Sequence, residues 1–112
     1  MSYRVNITDA AGRDLRAIFE YIAFELLSIE NATGQLSRLE KEIYDLAEMP
    51  ERYRRYELEP WYSRGVRRFA VGNYCVFYLP NRETQVVDVL RVLYGGSDMD
   101  RTMGEYAGLN DV

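Results

Sequence analysis

The chain has 112 residues, 47% hydrophobic and 29% charged, with a formal net charge of −4 and no histidine. A chain of that length builds one domain with its own core. Lacking histidine and holding a single cysteine, Cys75, it is without the usual general base near neutral pH, the commonest metal ligand and any internal disulfide, so no metal site and no cofactor are expected.

No apolar run approaches the roughly 18 residues that span a bilayer. Met1 to Ala10 alternates polar and apolar residues, unlike the basic-then-apolar start of a signal peptide. No membrane association and a cytoplasmic location are therefore expected. The sequence pI of about 4.9 argues against a broad grip on nucleic acid, whose affinity comes mostly from phosphate neutralisation. Basic charge is concentrated instead: between Glu51 and Arg68 six arginines stand against three glutamates. Neither a glycine-rich phosphate loop nor a G-x-S-x-G nucleophile motif is present.

In chain order, Tyr3 to Ile7 alternates as a short strand, and Thr8 or Asp9 offers a helix N-cap. Leu15, Ile18, Phe19, Ile22 and Leu26 follow at helical spacing and form one apolar face. A break falls at Ser28 to Asn31, where Ser28 can cap a second helix buried through Leu36, Leu39, Ile43 and Leu46 and stopped by Pro50. Two helices joined so closely form an antiparallel hairpin. Val66 to Val71, Tyr74 to Leu79 and Val86 to Tyr94 have strand composition, with Gly72-Asn73 as a two-residue hairpin turn and Pro80 to Thr84 as a longer reversal. After Gly95-Gly96, Ser97 can cap a short helix to about Tyr106. The expected fold class is α+β, in the order β-α-α-β-β-β-α, a helical hairpin on a small antiparallel-rich sheet. Residues 1–106 form the single domain and 107–112 a loose tail.

The segment from Glu51 to Arg64 interleaves arginines with aromatics: Arg52, Tyr53, Arg54, Arg55, Tyr56, Trp61, Tyr62 and Arg64. Such a surface can stack on bases or anchor an interface. It can equally be a flap whose tyrosines cover the sheet and whose arginines pair with Glu57 and Glu59. Arg54, Arg55, Tyr56, Trp61 and Arg64 are the candidates for contact with a target. Cys75, in a valine-rich strand, reads as a small core residue.

The order of these pieces resembles the RelE/ParE toxin superfamily of type II toxin–antitoxin systems, the ParE-like branch more than the RelE-like. The residues that carry the resemblance are Ala11, Asp14, Leu15 and Ile18 on the first helix, Leu46 and Pro50 after the second, then Gly65 and Arg67, Tyr74 and Tyr78, and the run Arg91 to Gly95. The resemblance implies a growth-inhibiting toxin, of the kind tied to plasmid stabilization, that forms a hetero-oligomer with a cognate antitoxin. Its mechanism stays open between two targets. RelE-like toxins cut messenger RNA on the ribosome, whereas ParE-like toxins poison DNA gyrase and are not nucleases. A third outcome is a degenerate member that only binds its antitoxin.

If the chain is a nuclease, the resemblance assigns catalysis to Arg67, Arg68 and Tyr94. Two positions depart from the nuclease pattern: Cys75 and Gly96 stand where those relatives typically carry arginine. A thiol cannot replace a guanidinium beside a phosphate, since the two differ in charge and reach.

Overall fold

The structure, a computed structural model, describes residues 2–110. The first strand, β1 (Arg4–Ile7), leads into α1 (Asp9–Glu20), a π-helical turn (Tyr21–Glu25) and α2 (Ile29–Tyr44). A single helical turn, α3 (Trp61–Arg64), precedes strands β2 (Arg67–Val71), β3 (Tyr74–Asn81) and β4 (Val86–Tyr94), and α4 (Met99–Asn110) closes the chain. The sheet order is β1-β4-β3-β2, with β1 parallel to β4 and the other two pairings antiparallel. The expected α+β class and hairpin-on-sheet arrangement are observed.

Local chemistry sets the ends of these elements. The Thr8 hydroxyl accepts from the Ala11 N–H and donates to the Val89 carbonyl at 2.8 Å, capping α1 and tying it to β4. Ser28 caps α2 by accepting from Asn31 N–H. Gly72 takes φ 59° in the β2–β3 turn, positive φ at the first central residue, as a type II′ hairpin requires.

Several boundaries differ from expectation for identifiable reasons. β3 runs on to Asn81, because Pro80 and Asn81 still pair with Val87 and Val86. The Asn81 side chain accepts from the Glu83 and Thr84 N–H groups and tightens the turn beyond. Asp98, rather than Ser97, caps α4 by accepting from Arg101 N–H, while the Ser97 hydroxyl donates to the Tyr94 carbonyl. α4 extends four residues past Tyr106, into the stretch expected to be a loose tail, and Ala107 is buried; Asp111 and Val112 lie outside the described residues. Leu26, expected on the buried face of the first helix, is exposed. The π turn is the cause: Leu26 N–H donates to the Tyr21 carbonyl, five residues back, and this inserted residue rotates the stripe away from the core.

The sheet is buried on both faces. On one, Phe69, Val71, Val76, Tyr78, Val87, Val89 and Val92 meet Ala11, Leu15, Leu39, Ile43 and Leu46 from the helical hairpin. On the other, Val66, Cys75, Phe77 and Leu93 meet Tyr56, Trp61, Met103 and Ala107. A bulge separates Phe77, paired with Arg91, from Tyr78, paired with Val89, so Leu90 is the extra residue of β4.

Candidate functional site

β2 and the segment before it carry most of the arginines, and strand geometry decides where each goes. Successive side chains on a strand leave opposite faces. Arg67 pairs with Tyr78 and lies on the helical-hairpin face, where its Nη1 donates to the carbonyls of Tyr53 (2.6 Å) and Glu51 (3.2 Å). That guanidinium is a tie within the fold. Arg68 pairs with Phe77 on the opposite face, and its guanidinium stands 5.4 Å from the centre of the Tyr56 ring.

On that second face a cleft of about 480 Å³ opens between β2, β3 and the start of α4. Arg54 and Arg68 give it positive charge; Cys75, Tyr74, Tyr94 and Gly96 are among its other walls. The structure thus brings Arg68 and Tyr94 to one cleft and leaves Arg67 outside it. Tyr94 is more than half exposed, and its ring meets that of Tyr74 edge-on at 5.9 Å. A Cβ at Gly96 would collide with the Tyr94 ring.

The ionisable groups lining the cleft, among the described residues, are two arginines, one thiol and two phenols. Burial pushes the Cys75 thiol up, although Arg68 pulls the other way, and burial likewise raises Tyr74. The cleft can hold an anion. It contains neither carboxylate nor imidazole to take a proton near neutral pH. No group of three or more metal-ligating side chains occurs among the described residues, and none of their helices is long and apolar enough to cross a membrane.

Of the candidates for target contact, Arg54, Arg55 and Arg64 are exposed and Tyr56 and Trp61 are not. Tyr56 is 2% exposed, and its hydroxyl donates to Asp100 at 2.5 Å. Trp61 is 4% exposed; its Nε1 donates to the Met103 carbonyl at 2.9 Å and its ring stacks on Tyr106. As contact residues these two are corrected to core: the second sheet face is apolar and needs a cover, and they hold α4 down as that cover. The arginines are arranged over this aromatic base. Arg64 stands 5.2 Å from the Trp61 ring, Arg55 stands 5.5 Å from the Tyr62 ring and donates to its carbonyl, and Arg54 lies 3.9 Å from Glu57. Glu59 accepts from the Ser63 N–H and hydroxyl, which holds its carboxyl below the usual range and fixes the α3 turn.

One junction joins two residues that carry the resemblance, Asp14 and Arg91. Asp14 accepts from Arg91 Nε (2.7 Å) and Nη2 (2.9 Å) and from Val92 N–H (2.9 Å), and Arg91 also lies 5.3 Å from the Tyr106 ring. It joins α1, β4 and α4. The visible signal was an arginine inside the apolar run Val-Leu-Arg-Val-Leu.

The model of the ParE toxin of the type II toxin–antitoxin system parDE matches residues 5–99. Comparison with curated proteins gives no match. Among solved structures, the chain resembles the toxin–antitoxin complex RelBE2 from Mycobacterium tuberculosis, at 24% identity and TM-score 0.62, covering 84% of this chain and 99% of that one. It resembles the chromosomal ParDE system from P. aeruginosa at 18% identity and TM-score 0.68, with coverage of 83% and 96%. A doubly substituted RelE toxin from E. coli in the free state matches at 17% identity and TM-score 0.60, with coverage of 91% and 93%. At these identities the likeness is one of fold.

Proposed function

The chain belongs to the ParE toxin family of type II toxin–antitoxin systems, and from that premise we propose that it arrests growth by binding an essential protein rather than by cutting RNA. DNA gyrase, the target of ParE-like toxins, is the target proposed here, in the cytoplasm. The observation that carries the reading is the make-up of the arginine cleft. Attack by a 2′-hydroxyl needs a group to remove its proton and another to protonate the leaving oxygen. Arg54 and Arg68 supply charge alone, the Cys75 thiol is held up by burial, and Arg67 is bound to backbone carbonyls on the other face.

Under this reading Arg54, Arg55, Arg64 and Arg68 form a cationic surface over an aromatic base, suited to a carboxylate-bearing protein surface. A cognate antitoxin would neutralise the toxin by covering exposed surface, and the pair would form a hetero-oligomer. A gyrase supercoiling assay tests the reading. Purified toxin, freed from its antitoxin, should block supercoiling of relaxed plasmid, and added antitoxin should restore it. Full supercoiling at saturating toxin would sink the gyrase assignment.

A further inference from the structure

α3, Trp61–Arg64, is a single helical turn, too short to hold its shape in water by itself. Trp61 ties it to α4 twice. Its Nε1 donates to the Met103 carbonyl, and its ring stacks on Tyr106 with centres 5.7 Å apart and planes 22° off parallel. Two exposed arginines hang on this turn. Arg64 lies over the Trp61 ring, and Arg55 lies over the Tyr62 ring and donates to the Tyr62 carbonyl. A ring beneath a guanidinium restricts a long side chain before it binds, so less freedom is lost in the complex.

The contacts continue beyond the stack. Tyr106 is half-buried, and the Arg91 guanidinium lies 5.3 Å from its ring centre. Arg91 is held in turn by both Asp14 oxygens, at 2.7 and 2.9 Å, and the two side chains are 20% and 14% exposed. Asp14 on α1, Arg91 on β4, Tyr106 on α4 and Trp61 with Arg64 on α3 thus form one unbroken series of planar groups. Stability alone does not call for an ion pair here, since apolar side chains of similar volume often serve as well. Covering the sheet does not call for stacked rings either, because Leu58, Leu79 and Leu90 pack against the same cluster. What the series adds is orientation: each flat group limits the tilt of the next. None of Asp14, Arg91 and Tyr106 lines the arginine cleft.

We propose that Asp14, Arg91 and Tyr106 are positioning residues for the target-contact surface. They act through the Trp61 ring to hold α3, and with it Arg55 and Arg64, in the orientation that meets the carboxylates of the target. The inference rests on the reading of those arginines as a contact surface.

Trp61 is the one tryptophan of the chain, so tryptophan emission reports on this stack alone. Tyr106→Leu keeps an apolar cover over the sheet and removes the ring, whereas Tyr106→Phe keeps the ring. Acrylamide should quench Trp61 more readily in Tyr106→Leu than in wild type, with Tyr106→Phe close to wild type. In the supercoiling assay, Tyr106→Leu should raise the toxin concentration for half-inhibition by about tenfold. It should have no further effect in a chain that already carries Arg55→Ala and Arg64→Ala, because the groups it positions are gone. Asp14→Asn, which keeps an acceptor for Arg91, carries the same cycle from the other end of the series should Tyr106→Leu fold poorly. An equal loss with and without the two arginines overturns the proposal, as does a Tyr106→Phe toxin as weak as Tyr106→Leu. Full activity after Arg55→Ala and Arg64→Ala strikes the contact-surface reading and the proposal with it. A wild-type toxin that leaves supercoiling intact strikes the gyrase assignment alone, and the cycle read as growth arrest at matched toxin levels then decides the positioning.

Discussion

The ring of Tyr94 occupies the space that a side chain at Gly96 would need. A Cβ at residue 96 would lie 2.5 Å from Tyr94 Cε2 and 3.0 Å from its hydroxyl oxygen. The absence of a cation at 96 and the position of the tyrosine are thus one feature of the cleft. Gly96→Arg, which restores the charge typical of the nuclease relatives, should displace the Tyr94 ring from Tyr74. Because Tyr94 is largely exposed, the cost should stay within about 1 kcal/mol. Loss of the nuclear Overhauser contacts between the two rings, with a melting curve close to wild type, is the expected result.

Asp14 accepts from both the Arg91 guanidinium and the Val92 N–H. Asp14→Ala leaves a largely buried cation and a backbone donor unpaired and should cost about 2–4 kcal/mol in urea denaturation. Asp14→Asn keeps an acceptor without the charge and should lose about half as much. A loss below about 0.5 kcal/mol for the alanine variant would mean that the pair is no more than a surface ion pair.

Trp61 and Tyr62 are neighbours with opposite roles. Trp61→Ala removes the stack on Tyr106 and the hydrogen bond to Met103, opening the core beneath α4, at about 3–5 kcal/mol. Tyr62→Ala should cost about 0.5–1 kcal/mol through its exposed contact with Arg55. Hydrogen exchange should show α4 amides losing protection in the first variant only.

The helices and strands were largely legible because their apolar periods are 3.6 and 2, and the caps at Thr8 and Ser28 carry their own chemistry. Other features depended on tertiary contacts. The π turn inserts its residue where Leu26 and Leu27 are both apolar, so the pattern conceals the change of phase. Tyr56 and Trp61 sit among arginines, in a segment that reads equally as contact surface or as a flap over the sheet, although β3 already held the deciding signal. Cys75, Val76, Phe77 and Tyr78 are apolar on both faces, as in a sheet covered on both sides, and the helical hairpin can cover only one. The opposite facing of Arg67 and Arg68 was implicit in strand alternation. Which of them entered a cleft depended on the carbonyls of Glu51 and Tyr53, far away in sequence.

Alkaline pH should destabilise the fold in a defined window. Burial raises the Tyr78 and Tyr56 hydroxyls above the ordinary value of 10.0, with the hydrogen bond to Asp100 adding to the effect at Tyr56. The folded state keeps protons that the unfolded chain releases near pH 10, so this stability is intact below that pH and is lost as pH rises toward the folded values. The slope should approach about 1.4 kcal/mol per pH unit for each ring. Denaturation between about pH 9 and pH 11 measures it, and Tyr78→Phe should remove one ring's share of the slope, leaving those of Tyr56, Tyr74 and Cys75. An unchanged slope in that variant would mean that Tyr78 titrates alike in the folded and unfolded chain.

Whether this toxin acts without cutting RNA is tested most directly by primer extension on ribosome-bound message during induction. Wild-type toxin should stop growth, with the antitoxin restoring it, and should give the same full-length products as uninduced cells. Cuts within codons would show the toxin to be a nuclease. The demonstration would be complete if Arg68→Ala reduced them by roughly a hundred- to thousandfold, the effect of removing a donor that stabilises a transition state.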